Sequence, residues 1–279
     1  MIYVDNLVLD DVARGFHIPA KPEILHEFKQ IMSDENASIS DEAKIVSKDI
    51  SLSSAILKTI NSPFFGITRT ISNIHQAVCF IGMEGVNYLA TALLLKKAFV
   101  GETSCLSFDK FWSDATNIAN AMMFISDNLS CDIPIDSLYA VGLFHDCGIP
   151  AMALQYNDYK NTLDEADELD FNSVIIENEK YGTNHAIVGY YIASSWHLPK
   201  EICNIILQHH ELDFLFKVTG SNEQLIYATL KMAENITERK LRFRQSSDWQ
   251  FIGEDVLNVL GINSDEYADL EEKYCNIDL

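Results

Sequence analysis

VGLFHDCGI, residues Val141 to Ile149, sets a histidine beside an aspartate at the end of an apolar run. Leu138, Val141 and Gly142 precede His145 at helical spacing, so the imidazole is expected to project from the face that meets the core. Two explanations suit a buried His-Asp pair. One is a satisfied core histidine, held by a backbone carbonyl or by Asp146. The other is a metal site, because neutral imidazole and carboxylate together suit iron, zinc or manganese.

Upstream of this stretch the chain reads as helix after helix, an all-α pattern with short connections. Residues 1–16 form a short arm, extended or strand-like. Pro19 and Pro22 close it, and Ile24, Leu25, Phe28, Ile31 and Met32 then fall on one helical stripe. Ser40 and Asp41 are expected to cap the next helix, and Ser51 to Ile60 make a third. Asn61-Ser62-Pro63-Phe64-Phe65-Gly66 breaks the pattern as a tight loop, its two rings either core or a docking surface for a partner. A helix over 72–80 ends at Gly82, and another follows from Met83 to about Val100. From Phe108, the stripe Phe111, Asp114, Ile118, Ala121 and Ile125 turns Asp114 inward, where a carboxylate needs a cation, a donor or a metal. Alternatively, Asp114 is an acid near the helix start that favours the dipole.

Downstream, the acidic run 157–170 reads as solvated surface without chemistry. Gly182-Thr183-Asn184 stops one helix and caps the next, which His185 opens on the face of Val188 and Ile192. Ile202, Ile205 and Ile206 lead to His209, with His210 turned about 100° away. Glu234 falls at i+4 from Leu230 on another apolar face. Phe243, Trp249 and Phe251 mark a packed helical extension at the C-terminus.

Composition narrows the function. With 279 residues, 48% of them apolar, the chain can build a substantial core. Its 41 acidic against 20 basic residues give a net charge of -21, which argues against nucleic acid and anionic membrane as partners. The longest apolar runs look too short to span a bilayer, and the N-terminus has no leader pattern. Six scattered cysteines without a CxxC read as reduced thiols of a cytoplasmic protein.

Asp114, His145, Asp146, His185, His209, His210 and Glu234 are ionisable or polar groups at or beside helical faces that otherwise read as apolar. Meeting at one point would satisfy them together, since helical bundles build one- or two-metal sites in this way. At these residues the chain resembles the HDOD family, the HD-related output domains of bacterial signalling proteins, over roughly residues 17–215. The markers are IPAKPEIL at 18–25, DISLSSAILKTINSPFFG at 49–66, AVCFIGMEGV at 77–86 and the FW pair at 111–112. They continue with GLFHDCG at 142–148, NHAIVG at 184–189, WHLP at 196–199 and LQHHE at 207–211.

The resemblance implies an HD-like helical bundle (105–215) with an N-terminal helical subdomain (17–104), followed by a C-terminal extension (216–279). It implies a regulatory role more often than catalysis, with metal positions on His145, Asp146, His185, His209 and His210. More remotely the chain is similar to HD-GYP phosphodiesterases, which use metal centres on cyclic di-GMP. Three departures stand out. Asp114 occupies the place of a first histidine, Glu234 that of a late aspartate, and Ile149 that of a lysine, while LDFLF follows HHE where those enzymes carry their phosphate-holding loop.

Two functions follow as expectations. The first is a non-catalytic signalling module that binds a partner protein or a small nucleotide-like ligand and retains a divalent ion (iron, manganese or zinc). The second is a metal-dependent phosphohydrolase in which Asp146 or a histidine manages the proton.

Overall fold

The structure, a computed structural model, describes residues 15–16, 20–34, 36–99, 104–129, 135–169 and 172–277. Among these residues it is all helical, with no strand. Most of the expected N-terminal arm lies outside the described residues.

Helix α1 (Ile24–Met32) turns Leu25 and Phe28 into the core. Helix α2 (Ile39–Ser47) starts earlier than Ser40 and Asp41 suggested. Ser38 is the N-cap, and Asp41 closes a capping box by accepting the Ser38 backbone N–H at 3.2 Å. In α3 (Ile50–Ile60), the Asp49 carboxylate accepts the Leu52 N–H at 3.0 Å and fixes the start.

The NSPFFG break is a 3-10 turn over Pro63–Phe65. Phe64 and Phe65 are both buried, Phe65 against Tyr139 and Phe64 near Tyr274, with ring centroids 5.6 and 6.3 Å apart. These rings are core, and the expectation that they form a docking surface is set aside.

Helix α4 (Ile74–Ala98) bends at Gly82, whose backbone (φ 76°, ψ 169°) lies outside helical space. Only glycine adopts that conformation cheaply, so the break read at this residue is a kink between two helical segments. By length and composition α4 could cross a membrane, contrary to the expectation from its apolar runs. Its role here is that of a core helix, with 56% of its most apolar window buried and α2, α3 and α6 packed around it.

Helix α5 (Phe108–Asn128) packs along α6 (Ile135–Phe144), the helix that ends at His145-Asp146. A tight turn leads into α7 (Gly148–Gln155), which lies against α10 (His185–Ser195). Helices α8 (Tyr159–Glu168) and α9 (Ser173–Tyr181) pair with each other, and α11 (Lys200–Gln208) joins α10 to α6. Beyond the short α12 (Phe214–Lys217), α13 (Asn222–Arg242) packs on α5, α6 and α11, with α14 (Trp249–Leu260) and α15 (Ser264–Cys275) outside it. Of the three C-terminal aromatics, Trp249 is buried, against Tyr267, while Phe243 and Phe251 are exposed.

Candidate metal centre

The C-terminal end of α6, the N-terminus of α10 and the C-terminal end of α11 converge on one point. Asp146 sits in the turn after α6. Its Oδ1 lies 3.1 Å from His209 Nε2 and 3.4 Å from His185 Nε2, while Oδ2 lies 3.2 Å from His145 Nε2. His185 Nε2 is 3.3 Å from His209 Nε2 and 3.0 Å from His210 Nε2. One donor atom from each of Asp146, His185, His209 and His210 lies within 4.8 Å of every other.

The other ring nitrogens orient three of the imidazoles, those of His145, His185 and His209. His145 Nδ1 donates to the Gly142 carbonyl at 2.8 Å, and His209 Nδ1 to the Ile206 carbonyl at 2.7 Å. A carbonyl only accepts, so Nδ1 carries the hydrogen and Nε2 offers a lone pair in the neutral ring. His185 is fixed in the same way by Glu177, whose two oxygens both lie 2.9 Å from Nδ1. Glu177 also accepts the His185 backbone N–H at 2.7 Å, one of the donors left unpaired where a helix begins. Tyr159 donates to the same carboxylate at 2.7 Å.

Local sequence sets this up. Gly182 ends α9 in the left-handed region (φ 69°), and the Asn184 side chain accepts the Ile187 N–H at 3.0 Å, making His185 the first helical residue. Glu177 was not anticipated, nor was chemistry in the 157–170 run, where Tyr159 is wholly buried. The available signal was spacing, because Glu177 stands three residues after Val174 on the buried stripe of α9.

Electrostatics favour a cation here. For His185, burial disfavours the charged form, yet Glu177 and Asp146 outweigh it and push the imidazole up to about 10. Burial likewise opposes ionised Asp146, but the charge of His145 and the three imidazoles turned on its oxygens hold its carboxyl well below the usual range. For His145, Asp146 overcomes burial and raises the ring. Burial lowers His209, and burial together with His209, His185 and Lys231 lowers His210. Glu177 and Asp146 thus supply negative charge that is met by the protonated His185 or by a metal ion displacing that proton, while burial favours the neutral rings of His209 and His210.

The donor set fits a divalent ion. With metal–nitrogen distances of about 2.1 Å, neighbouring donors stand about 3.0 Å apart in octahedral and about 3.4 Å apart in tetrahedral geometry, and the separations of His185 Nε2 from His209, His210 and Asp146 and of His209 from Asp146 fall in that range. Nitrogen lone pairs facing one another this closely repel unless a proton or metal lies between them.

Three expected ligands lie outside the four-residue cluster. Asp114 is only half-buried and pairs with Arg242 at 3.7 Å, so it is not turned inward as expected. The buried face of α5 runs through Trp112, Ala115, Ala119 and Met122, leaving Asp114 on its flank. Glu234 is held by the buried Lys231 at 3.0 Å, and Asp248 takes the same ammonium at 2.7 Å. Glu234 therefore acts on the centre through its charge, helping to raise His145, and lies outside the four-residue cluster. His145 touches Asp146 from the side and is likewise outside that cluster.

A helical bundle that gathers an aspartate turn and helix-end imidazoles is the arrangement that the resemblance to HD-related domains implies. The chain belongs to the HDOD family, whose domain profile matches residues 18–212. A crystal structure of an HDOD domain protein of unknown function from Geobacter sulfurreducens superposes with a TM-score of 0.67, at 20% identity, covering 97% of each chain. A Shewanella amazonensis structure, named as a proposal for a metal-dependent phosphohydrolase, gives 0.66 at 17% identity over 96% of each chain. An uncharacterized protein of Treponema pallidum (strain Nichols) is 24% identical over 196 residues, 70% of this chain but 38% of that protein. The chain therefore spans well under two thirds of that relative's length.

Proposed function

We propose that this protein is a cytoplasmic signalling module that holds one divalent ion in its HD centre as a structural and regulatory element and does not turn over a phosphoester. Its output is contact with a partner protein or a small nucleotide-like ligand. The observation that carries this reading is the pairing of a convergent donor cluster with a spent cation. Asp146, His185, His209 and His210 present convergent donors, while Lys231, whose charge reaches His210, is committed to Glu234 and Asp248. A phosphohydrolase needs both an ion and free positive groups to hold the substrate's phosphate.

When bound, a divalent ion would supply Lewis acidity and cross-link the ends of α6, α10 and α11. The side chains have separate tasks. Glu177 sets the His185 tautomer, and the Gly142 and Ile206 carbonyls set those of His145 and His209. Asp146 supplies the anionic donor and receives the Nε2 side of three histidines.

The phosphohydrolase reading is the alternative, and what favours it is the preserved donor set together with the phosphohydrolase name given to the Shewanella neighbour. Metal analysis of the purified protein separates the two, followed by assays of bis(p-nitrophenyl) phosphate and cyclic di-GMP with added manganese or iron. The expected result is bound metal, lost in His185→Ala, and no turnover. Turnover abolished by Asp146→Ala in a folded variant would replace this reading with the hydrolase. Protein that takes up no metal would overturn both.

A further inference from the structure

A cavity of about 470 Å³ opens between the N-terminal helices and the bundle, away from the histidines. Leu52 on α3, Leu94 on α4 and Leu143 on α6 give it apolar walls, and Lys58 and Lys96 stand on its lining. Neither lysine forms an ion pair among the described residues, in a chain where acids outnumber bases 41 to 20. Burial holds the Lys96 ammonium below its usual range; Asp109 opposes this, and the like charge of Lys58 adds to it. Ser62 Oγ, also on the lining, is shielded from solvent and has no hydrogen-bond partner.

Each feature asks for the same occupant. The lining carries lysines and no carboxylate; Asp109 acts on Lys96 from outside it and Asp49 faces Lys97 at 4.0 Å, which leaves Lys58 and Lys96 without an ion pair among the described residues, and a closed-off hydroxyl lacks a partner. Apolar walls with a few convergent polar groups, at a volume within the usual range for small-molecule sites, define a ligand pocket. We propose that this cavity is a binding site for a small amphiphilic anion, an acid with an apolar body, whose acidic head meets Lys58 and Lys96 and whose body lies on Leu52, Leu94 and Leu143. The site does not depend on the metal reading, because it shares no side chain with the donor cluster.

Two fluorescent probes test this: 1-anilinonaphthalene-8-sulfonate, and N-phenyl-1-naphthylamine, which has the same ring body without the charge. The sulfonate is expected to bind saturably at one site per chain, and the neutral probe at least about tenfold more weakly. Lys96→Gln and Lys58→Gln, both outside the fully buried core, should keep the parental melting temperature and weaken the sulfonate by a similar factor. Decanoate should displace the dye where decanol at the same concentration does not. Non-saturating dye binding, equal binding of the two probes, or parental affinity in both lysine variants would each overturn the proposal. A metal-free protein that still binds the dye would leave it standing while removing the reading of the HD centre.

Discussion

Glu177 is the residue on which the centre's geometry turns, since it alone engages both the ring and the backbone nitrogen of His185. Outer partners that fix a ligand's tautomer typically affect metal affinity by about 10–100-fold, and Glu177→Gln is expected to weaken metal binding by that factor. Competition with a chromogenic chelator measures it, and parental affinity in the variant would show that His185 needs no such partner. A second buried carboxylate behaves differently. Glu42 on α2 has neither oxygen hydrogen-bonded, and burial pushes its carboxyl up to about 8. The folded protein keeps this proton while the unfolded chain releases it near about 4.3, so stability from this group declines as pH climbs from there and levels off above about 8. The stability difference between Glu42→Gln and its parent should grow over that window, and pH-independent parallel curves would rule the effect out. Spacing alone pointed to His185 and His209 because both lie in register with apolar residues. It misjudged Asp114 because the flank of a helix interface and its centre are only one residue, about 100°, apart.

At the scale of elements, close approach of α7 and α10 sets the distance between Asp146 and His185. Gly148 begins α7 with its Cα against the other backbone, where an added Cβ would stand 2.0 Å from the His185 carbonyl oxygen and 2.7 Å from the Gly189 nitrogen. Backbone cannot yield as a flexible side chain does, so Gly148→Ala is expected to cost at least about 2 kcal/mol and to loosen metal retention along with it. Thermal melts and metal stoichiometry on the same sample check this, and an unchanged melting temperature would refute it. Helix positions were largely legible, because apolar periodicity, the break at Gly82 and the Gly182-Asn184 stop and cap are local signals. The HDOD markers were legible as well, being short stretches of fixed sequence. What stayed hidden was non-local. Tyr159 looked like part of a solvated acidic run until α9 brought Glu177 against it.

Across the whole molecule, α6 is the member shared by the two proposed sites. Tyr139 and Leu143 line the cavity, while Gly142, between them on the helix, holds His145 Nδ1, and His145 contacts Asp146 at the helix end. A ligand that presses on Leu143 therefore acts on the same turn of helix that aims the donor set, and an ion that fixes Asp146 restrains the cavity wall. Coupling between binding sites is reciprocal in free energy, so each occupant must alter the other's affinity by the same factor. A rigid packed helix transmits displacement with little loss, and a coupling of about fivefold or more is expected from the usual range for allosteric pairs. Dye titrations with saturating manganese and with EDTA give one side of the cycle, and manganese titrations with and without the dye give the other. Two equal factors, both abolished by a bulky Leu143→Trp that keeps the fold, would identify α6 as the link between an anionic signal and the HD centre. Dye affinity indifferent to metal would mean that the two sites are independent tenants of one bundle, and the output would then have to be sought on the outer helices.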